Sequence, residues 1–432
     1  MTEIAIFWHR RDLRISDNAA LFKAMCSGFD VLPIFIFDKH ILDKLSPDDQ
    51  RVLFIHQEIA RLKEEYQAHG SDLMVFYGEP LVVWHELMSQ FKVSKVFANR
   101  DYEPYALTRD KAVDDLLSSK RVEFIGAKDH VIFEKHEILK NDGLPYTVFT
   151  PYSRKWKERF SDFYLESYPT EKHLNKLMSR EKSALITLES LGFSSVQNNE
   201  FASRDLSNLS IERYKETRDI PSIRGTSRMS LHLRFGTISI RALARIAVDK
   251  NESYLNELIW RDFYQMIIYH FPNSATHSFK SQYDKIQWDN DSNLFKAWCE
   301  GKTGYPIVDA GMRELNATGF MHNRVRMITA SFLTKHLLVD WRWGEAYFAQ
   351  KLLDFELASN VGGWQWAASS GCDAAPYFRV FNPELQMEKF DKDKNYIKRW
   401  VPEFGSSSYP QPIVDHKIAR ARVLLRFKEA LG

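Results

Sequence analysis

The sequence contains little cysteine, no long apolar run and almost no net charge. Its three cysteines, Cys26, Cys299 and Cys372, are far apart and form no C-x-x-C pair. That spacing argues against a disulfide framework and against a zinc site, and it favours a reducing cytoplasm. No apolar run reaches the roughly eighteen residues that a membrane span requires. We therefore expect a cytoplasmic, soluble protein that binds no metal.

The charged residues nearly cancel, because 59 lysines and arginines are balanced by 57 aspartates and glutamates, which leaves a formal net charge of +2. Any contact with nucleic acid must therefore come from a local basic patch. Aromatic residues, in contrast, are abundant. The eleven tryptophans and eighteen tyrosines are more than packing usually recruits, and they suggest a use in stacking or electron transfer.

The first 130 residues alternate between short β-rich apolar runs and longer periodic segments. The apolar runs are Ile4–Trp8, Val31–Phe37, Leu73–Tyr77, Lys95–Ala98 and Val122–Ile125. The periodic segments are Gln50–His69, Pro80–Phe91 and Tyr105–Ser119. Such alternation predicts βαβ units and a doubly wound parallel sheet. No G-x-G-x-x-G opens the first crossover, so we expect no dinucleotide on the first helix.

The remaining chain predicts a connector followed by a helical domain. Residues 131–200 are charged and show no long periodic core pattern. From Ile211 onward helical periodicity dominates and strand signals vanish. We therefore predict an α/β domain over residues 1–130, a long connector over 131–200 and an all-α domain over 201–432.

One run in the helical half is unusual, because Gly362-Gly363 is followed by Trp-Gln-Trp with small residues on both sides. We interpret this run as a loop that holds the indoles of Trp364 and Trp366 against a flat partner, which the small residues allow to come close. Two ordinary core tryptophans are the alternative.

Two other motifs carry groups with a definite chemistry. Gly225–Ser230 (GTSRMS) offers backbone N–H groups and hydroxyls to a phosphate, although helix N-caps often have the same composition. On a helix, Glu257, Trp260, Arg261 and Tyr264 would share one face. A carboxyl group against an aromatic wall should have a raised pKa and could donate a hydrogen bond, whereas an aromatic-shielded ion pair is the plainer interpretation.

The segments that surround the Trp-Gln-Trp run are KTGYPIVDAGMREL (302–315), MHNRVRMITASFL (321–333), DWRWGEAYF (340–348) and AAPYFRVFNPELQMEKFD (374–391). Together they resemble, without gaps, the flavin-binding half of the DNA photolyase/cryptochrome family, and most of all its class I-like cyclobutane pyrimidine dimer photolyases. The resemblance implies light-driven dimer repair in DNA, in which excited reduced FAD passes an electron to a flipped dimer. A cryptochrome-type blue-light receptor and a DASH-type photolyase for single strands remain alternatives.

The resemblance also implies a set of FAD contacts, with Arg326 paired to Asp354 beside the flavin. The implied contacts are Tyr214, Thr226, Ser227, Arg228, Met229, Ser230, Tyr254, Glu257, Arg261, Arg326, Asp354, Glu356 and Asn360. Asn360 has no acidic proton and should favour the anionic reduced flavin, which supports repair over signalling. The antenna chromophore stays open between a deazaflavin, a folate and none, because Tyr105-Ala106 replace the Asn-Glu pair of some folate-using members.

By the same resemblance, a dimer pocket, an electron path and a DNA surface are expected. The implied catalytic residues are Glu257, Asn323, Met327, Asn360 and Trp366. The implied electron path is Trp288, Trp341 and Trp364. The implied DNA contacts are Arg218, Trp260, Asn323, Arg324, Arg379 and Gln386, of which the arginines would position phosphates. His322 with Asn323 and Met327 resembles the cyclobutane-dimer pattern and not the (6-4) pattern. We expect a monomer that contacts damaged DNA and no membrane.

Overall fold

A computed structural model describes residues 2–196, 200–207, 209 and 211–432 of the chain. These residues form two compact units. The first unit is built from Met1–Glu137, Glu158–Ser207 and Met229–Asp249. The second is built from Ile138–Lys157, Asn208–Arg228 and Lys250–Gly432.

The units divide the chain differently from the predicted domains. Residues 138–157 join the helical unit instead of a connector, and residues 229–249 join the sheet unit instead of the helical domain. The second difference has a clear physical cause in a buried ion-pair network, in which Arg241 binds Asp17 at 2.9 Å and Asp129 at 2.6 Å. Burial alone would raise the pKa of Asp129, but Arg14 and Arg241 outweigh it and hold the pKa well below its usual range. Local periodicity carries no sign of such a distant attachment.

The first unit contains a five-stranded parallel sheet with the strand order β3-β2-β1-β4-β5. The strands are β1 Glu3–His9, β2 Asp30–Asp38, β3 Met74–Gly78, β4 Lys92–Asn99 and β5 Glu123–Ala127. Every predicted strand is present, and the predicted doubly wound parallel fold is confirmed. The helices are α1 Ala19–Met25, α2 Lys39–Leu42, α3 Gln50–Ala68, α4 Pro80–Gln90 and α5 Pro104–Ser119, with α8 Ser230–Phe235 and α9 Ile240–Lys250 from the later segment.

The second unit is helical, as predicted. Its helices are α6 Phe149–Arg159, α7 Tyr214–Thr217, α10 Glu252–His270, α11 Ser292–Cys299, α12 Pro306–Thr318, α13 Asn323–Ser331, α14 Trp341–Lys351, α15 Leu357–Ala368, α16 Pro383–Phe390, α17 Asn395–Trp400 and α18 His416–Leu431. Helix α15 packs against α10, α13 and α14 and therefore lies at the centre of the unit. Within the described part of the chain, no helix is both long and apolar enough to cross a membrane.

The prediction of a loop at the Trp-Gln-Trp run is wrong, because Gly362 to Trp366 lie inside helix α15. Gly362 and other small residues of this region allow the helices to pack closely against one another. A Cβ atom at Gly362 would lie 2.3 Å from ring atoms of Tyr264 in α10. In the same way, a Cβ atom at Gly344 in α14 would lie 2.1 Å from the indole of Trp364. Small residues thus allow a close approach, as predicted, but the partners are aromatic rings of the protein itself.

Candidate functional site

Helix α10 carries the acid of the candidate site. The side chain of Asn251 caps the helix by accepting a hydrogen bond from the Tyr254 N–H. Five residues after the start of the helix, Glu257 Oε1 accepts a hydrogen bond from Arg218 Nη1 at 2.5 Å, and the Glu257 side chain is 28% exposed. Burial raises the pKa of Glu257, and the Arg218 guanidinium offsets this only in part. The sequence motif therefore contains both predicted features, a raised carboxyl pKa and an ion pair.

The aromatic residues of the same helix form a wall beside this acid. The Trp260 ring stacks on Phe149 with centroids 3.6 Å apart and planes within 4°, and it lies 5.4 Å from the Tyr264 ring. Phe149 begins helix α6, and its N–H donates to Asp373 at 2.9 Å. Sequence reasoning assigned no role to Phe149. Its stacking fixes one face of the Trp260 indole.

A narrow apolar cleft opens where α10 and α15 meet. Tyr264, Phe279, Trp366 and Cys372 line it. Gln365 does not face a partner molecule, because its amide donates to the carbonyls of Ser274 and His277 and accepts from the Phe279 N–H. The Trp-Gln-Trp run therefore places Trp364 in the core and Trp366 at the cleft, with Gln365 as a structural anchor.

Helix α13 supplies the second group of predicted residues. Its first residue, Asn323, is exposed, and Met327 is half-buried one turn later. The expected pair is present, since Arg326 Nη2 donates to both oxygens of Asp354 at 2.9 and 3.1 Å. Arg324 instead pairs with Asp219 at 2.8 Å and lies over the Phe390 ring.

The predicted phosphate motif is divided between the two units. Thr226, Ser227 and Arg228 belong to the helical unit, whereas Met229 is buried and Ser230 begins α8 in the sheet unit. The Ser227 hydroxyl accepts from the Tyr254 hydroxyl at 2.8 Å, which attaches this part of the motif to α10. Arg228 adopts a left-handed backbone with φ 56° and is exposed.

The predicted tyrosines flank this loop. The ring of Tyr214 in α7 meets the Tyr254 ring edge-on at 5.0 Å. Burial raises the pKa of Tyr254 to about 12, so its hydroxyl stays a donor at neutral pH. The hydroxyls of Thr226 and Ser227 and the Arg228 cation form a donor set suited to a pyrophosphate. The chemistry of these residues therefore fits the central pyrophosphate of an FAD molecule.

Asn360 is oriented by an acid that sequence reasoning missed. Its amide nitrogen donates to Glu345 Oε1 at 2.9 Å and to the Glu345 carbonyl at 3.1 Å. Burial raises the pKa of Glu345, and the hydrogen bond from Asn360 counteracts this. One turn before Asn360, Glu356 accepts from Arg261 at 3.0 Å. Both acids were visible in the sequence, but only the packing of α14 against α15 brings Glu345 to Asn360.

The three predicted electron-transfer tryptophans share one core. Trp341 and Trp364 are almost completely buried, and Trp288 packs at the edge of the same cluster. Among the described residues, the indole N–H groups of Trp341 and Trp364 have no hydrogen-bond partner. A fourth indole, Trp298, was not predicted and meets Trp364 edge-on at 6.0 Å. An apolar, weakly hydrogen-bonded indole core is a setting in which electrons can pass between rings.

The predicted DNA contacts are only partly brought together. Arg324 is brought close to Arg218, because it pairs with Asp219, the next residue in the chain. Arg218 itself pairs with Glu257. Arg379 is exposed and lies over the Phe381 ring, while Gln386 is half-buried on α16.

Comparison with known proteins gives matches to both units. The family model described as DNA photolyase matches residues 5–172, and the model described as FAD binding domain of DNA photolyase matches residues 254–407. The deoxyribodipyrimidine photo-lyase of Halobacterium salinarum is 38% identical, with 99% of each chain covered.

Solved structures agree with these matches. A class III photolyase from Agrobacterium tumefaciens superposes with a TM-score of 0.86 at 33% identity, with 100% of this chain and 98% of that chain covered. An archaeal photolyase from Sulfolobus tokodaii, solved with two FAD molecules, gives a TM-score of 0.79 at 33% identity, with coverage of 99% and 100%.

Proposed function

This chain belongs to the DNA photolyase family, and from this we propose that it is a deoxyribodipyrimidine photo-lyase that uses light and FAD to split cyclobutane pyrimidine dimers in DNA. The observation that carries the proposal is the face of helix α10. It presents Glu257, a carboxyl group of raised pKa, beside the aromatic wall of Trp260 and Tyr264. A protonated acid next to apolar aromatic rings suits a neutral base dimer with carbonyl oxygens.

FAD is the cofactor of this activity, and the donor set of the helical unit suits it. When bound in its reduced form, FAD supplies under light the electron that splits the dimer. Thr226, Ser227 and Arg228 would hold its pyrophosphate, with Tyr214 and Tyr254 behind them. The partly buried ion pair of Arg326 with Asp354 and the buried ion pair of Arg261 with Glu356 would border the rings.

Asn360 would face the flavin with a fixed orientation. Glu345 holds the amide nitrogen through two hydrogen bonds. The side chain therefore contributes polar contact without an acidic proton. Met229 and Ser230 remain predicted FAD contacts.

The chain's own residues would bind and orient the dimer. Protonated Glu257 would donate a hydrogen bond to a dimer carbonyl, which strengthens as that oxygen gains charge. Asn323 would add an amide contact, and Met327 and Trp366 would exclude water. The dimer must leave the base stack to reach this site, as photolyases are known to require.

Two further groups complete the proposal. The indoles of Trp364, Trp341 and Trp288 would return electrons to the cofactor after its oxidation, because indole is readily oxidised and all three share one core. Arg218, Arg324, Arg379 and Gln386 would position the strand through its phosphates, with Trp260 beside the dimer.

We also propose that the protein works as a cytoplasmic monomer on UV-damaged DNA. Free Cys26, Cys299 and Cys372 suit a reducing compartment. Light scattering of the protein with and without DNA tests whether the protein is a monomer.

Light-dependent repair tests the proposed function. Reduced protein is mixed with an oligonucleotide that carries one thymine cyclobutane dimer, in single- and double-stranded form, and the recovery of pyrimidine absorbance is followed in light and in darkness. Repair of both forms supports the proposal, and repair of single strands alone indicates the DASH-type activity.

A matched pair of variants tests the role of the acid. Glu257→Ala should lower the repair yield and leave FAD bound, whereas Glu252→Ala, an exposed site on the same helix, should repair normally. A flavin-loaded protein that repairs neither form of DNA contradicts the proposal and indicates a receptor.

A further inference from the structure

Both arginines that should hold DNA phosphates near the acid are already paired with carboxylates. Arg218 Nη1 lies 2.5 Å from Glu257 Oε1, and Arg324 Nη2 lies 2.8 Å from Asp219 Oδ1. The Arg218 guanidinium also lies over the Tyr214 ring at 5.5 Å. A DNA phosphate that takes up Arg218 must therefore compete with Glu257 for the same guanidinium.

The groups around Glu257 determine how its carboxylate charge is stabilised once Arg218 has left. Asp219 and the phenols of Tyr214, Tyr254 and Tyr264 face the carboxyl group, and each would repel it if charged. The acid Glu356, which is the N-cap of α15, accepts a hydrogen bond from Arg261, one turn along α10 from Glu257. Within the described residues, Arg218 is the cation in ion-pair contact with Glu257.

We propose that Glu257 takes up one proton from solvent when DNA binds. The ion pair of Arg218 with Glu257 is exchanged for an ion pair of Arg218 with a phosphate. The carboxylate then lies in a partly buried site without its cation, and a proton neutralises it. Charge balances, because the arginine neutralises the phosphate and the proton neutralises the carboxylate.

This exchange links DNA binding to the state that the chemistry needs. In the free protein Glu257 is a carboxylate that only accepts hydrogen bonds, whereas with DNA bound it becomes an acid that can donate one to the dimer. Arg218 is then a positioning residue, since its departure from Glu257 creates the donor. The inference rests on the proposed function, because it needs DNA as the ligand.

The sign of the pH dependence follows from the exchange. DNA binding raises the pKa of Glu257, so the complex holds more protons than the free protein between the two pKa values. Affinity is full below the pKa of the free protein and falls as the pH rises through this window, by up to about tenfold per pH unit. Above the pKa in the complex it becomes constant again.

Titration calorimetry on the flavin-loaded protein in darkness measures the proton directly. A duplex oligonucleotide with one thymine cyclobutane dimer is titrated in two buffers of different ionisation enthalpy at a series of pH values. We expect an uptake that approaches one proton per complex inside the window, with the matching loss of affinity toward higher pH.

Two variants assign the proton to its group. Glu257→Gln, a neutral side chain of the same shape, should bind DNA without this uptake and without this pH slope. Asp219→Asn removes the neighbouring acid, which is 42% exposed and pairs with Arg324, and should retain the uptake. A pH profile distinguishes this coupling from a purely structural role of the ion pair.

Two outcomes would overturn the inference: wild-type complexes that form with no proton exchanged, or a Glu257→Gln variant that keeps the full uptake. Both are distinct from a failure of the proposed function. That function is judged by tighter binding of dimer-containing than of undamaged duplex and by repair in light, neither of which depends on the proton count.

Discussion

The two adjacent glycines of helix α15 should respond oppositely to substitution by alanine. Gly362 faces α10, where an added Cβ would lie 2.3 Å from two ring atoms of Tyr264. Gly363 is exposed, and an added Cβ would meet no atom within 4 Å. Both residues are helical, so the gain in helix propensity is the same at each position. The difference between the variants therefore isolates the contact with Tyr264.

The expected magnitudes follow from this geometry. Replacing glycine by alanine inside a helix stabilises it by about 1 kcal/mol. Forcing an extra methyl group into a packed contact costs about 1–3 kcal/mol, and Tyr264 is confined by Trp260 and Phe263. Gly363→Ala should therefore raise the free energy of unfolding by about 1 kcal/mol. Gly362→Ala should lower it by up to about 2 kcal/mol.

Denaturant unfolding of the flavin-loaded protein, followed by circular dichroism, measures both changes. Gly362→Ala should also lower the repair rate, because Tyr264 and Trp366 line the same cleft. Equal stabilisation by both substitutions would refute the reasoning, since it would mean that Tyr264 moves aside without cost.

Three further predictions concern the core and the cofactor. Trp364→Phe should slow the light-driven reduction of bound flavin by an external reductant, measured by the loss of oxidised-flavin absorbance. Trp156→Phe is the control, since Trp156 is also buried but donates to Asp262, and it should not slow the reduction. Equal rates in the two variants would remove Trp364 from the electron path. Asp354→Asn weakens the partner of Arg326 and should lower the flavin-to-protein ratio after gel filtration, whereas an unchanged ratio would contradict this role. Burial lowers the pKa of His336 to about 3, so only the unfolded chain binds its proton between about pH 3 and pH 6.5. The free energy of unfolding should fall as the pH drops from there, by up to about 1.4 kcal/mol per pH unit, and His336→Gln should flatten this slope in urea titrations.

The sheet unit was predictable because its signals are local. The run Val31–Phe37 becomes a strand over Asp30–Asp38, and the periodic segment Gln50–His69 becomes a helix that ends at Ala68. Gly70, with φ 74°, comes immediately after the C-cap His69 and prevents continuation of the helix. The periodicities of strands and helices depend on residues that are close in the sequence, so they can be recognised without knowledge of the fold.

The helical setting of Gly362 was not predictable in the same way. A pair of glycines is a typical loop signal, and only the ring of Tyr264, almost a hundred residues earlier, explains why a helix tolerates it. The attachment of residues 229–249 to the sheet unit has the same origin, because it depends on the distant partners Asp17 and Asp129 of Arg241.

At the candidate site, sequence reasoning identified the positions of the residues but not their states of charge. Resemblance identifies Arg218, Asn360 and Glu257 by what they would do to a ligand. Their state before the ligand arrives is set by partners that only packing reveals, such as Glu345 for Asn360. Arg218 and Glu257 are the extreme case, because each is the other's partner. A residue predicted to bind phosphate therefore holds the predicted proton donor in its charged form, so binding of DNA must come before the acid can act.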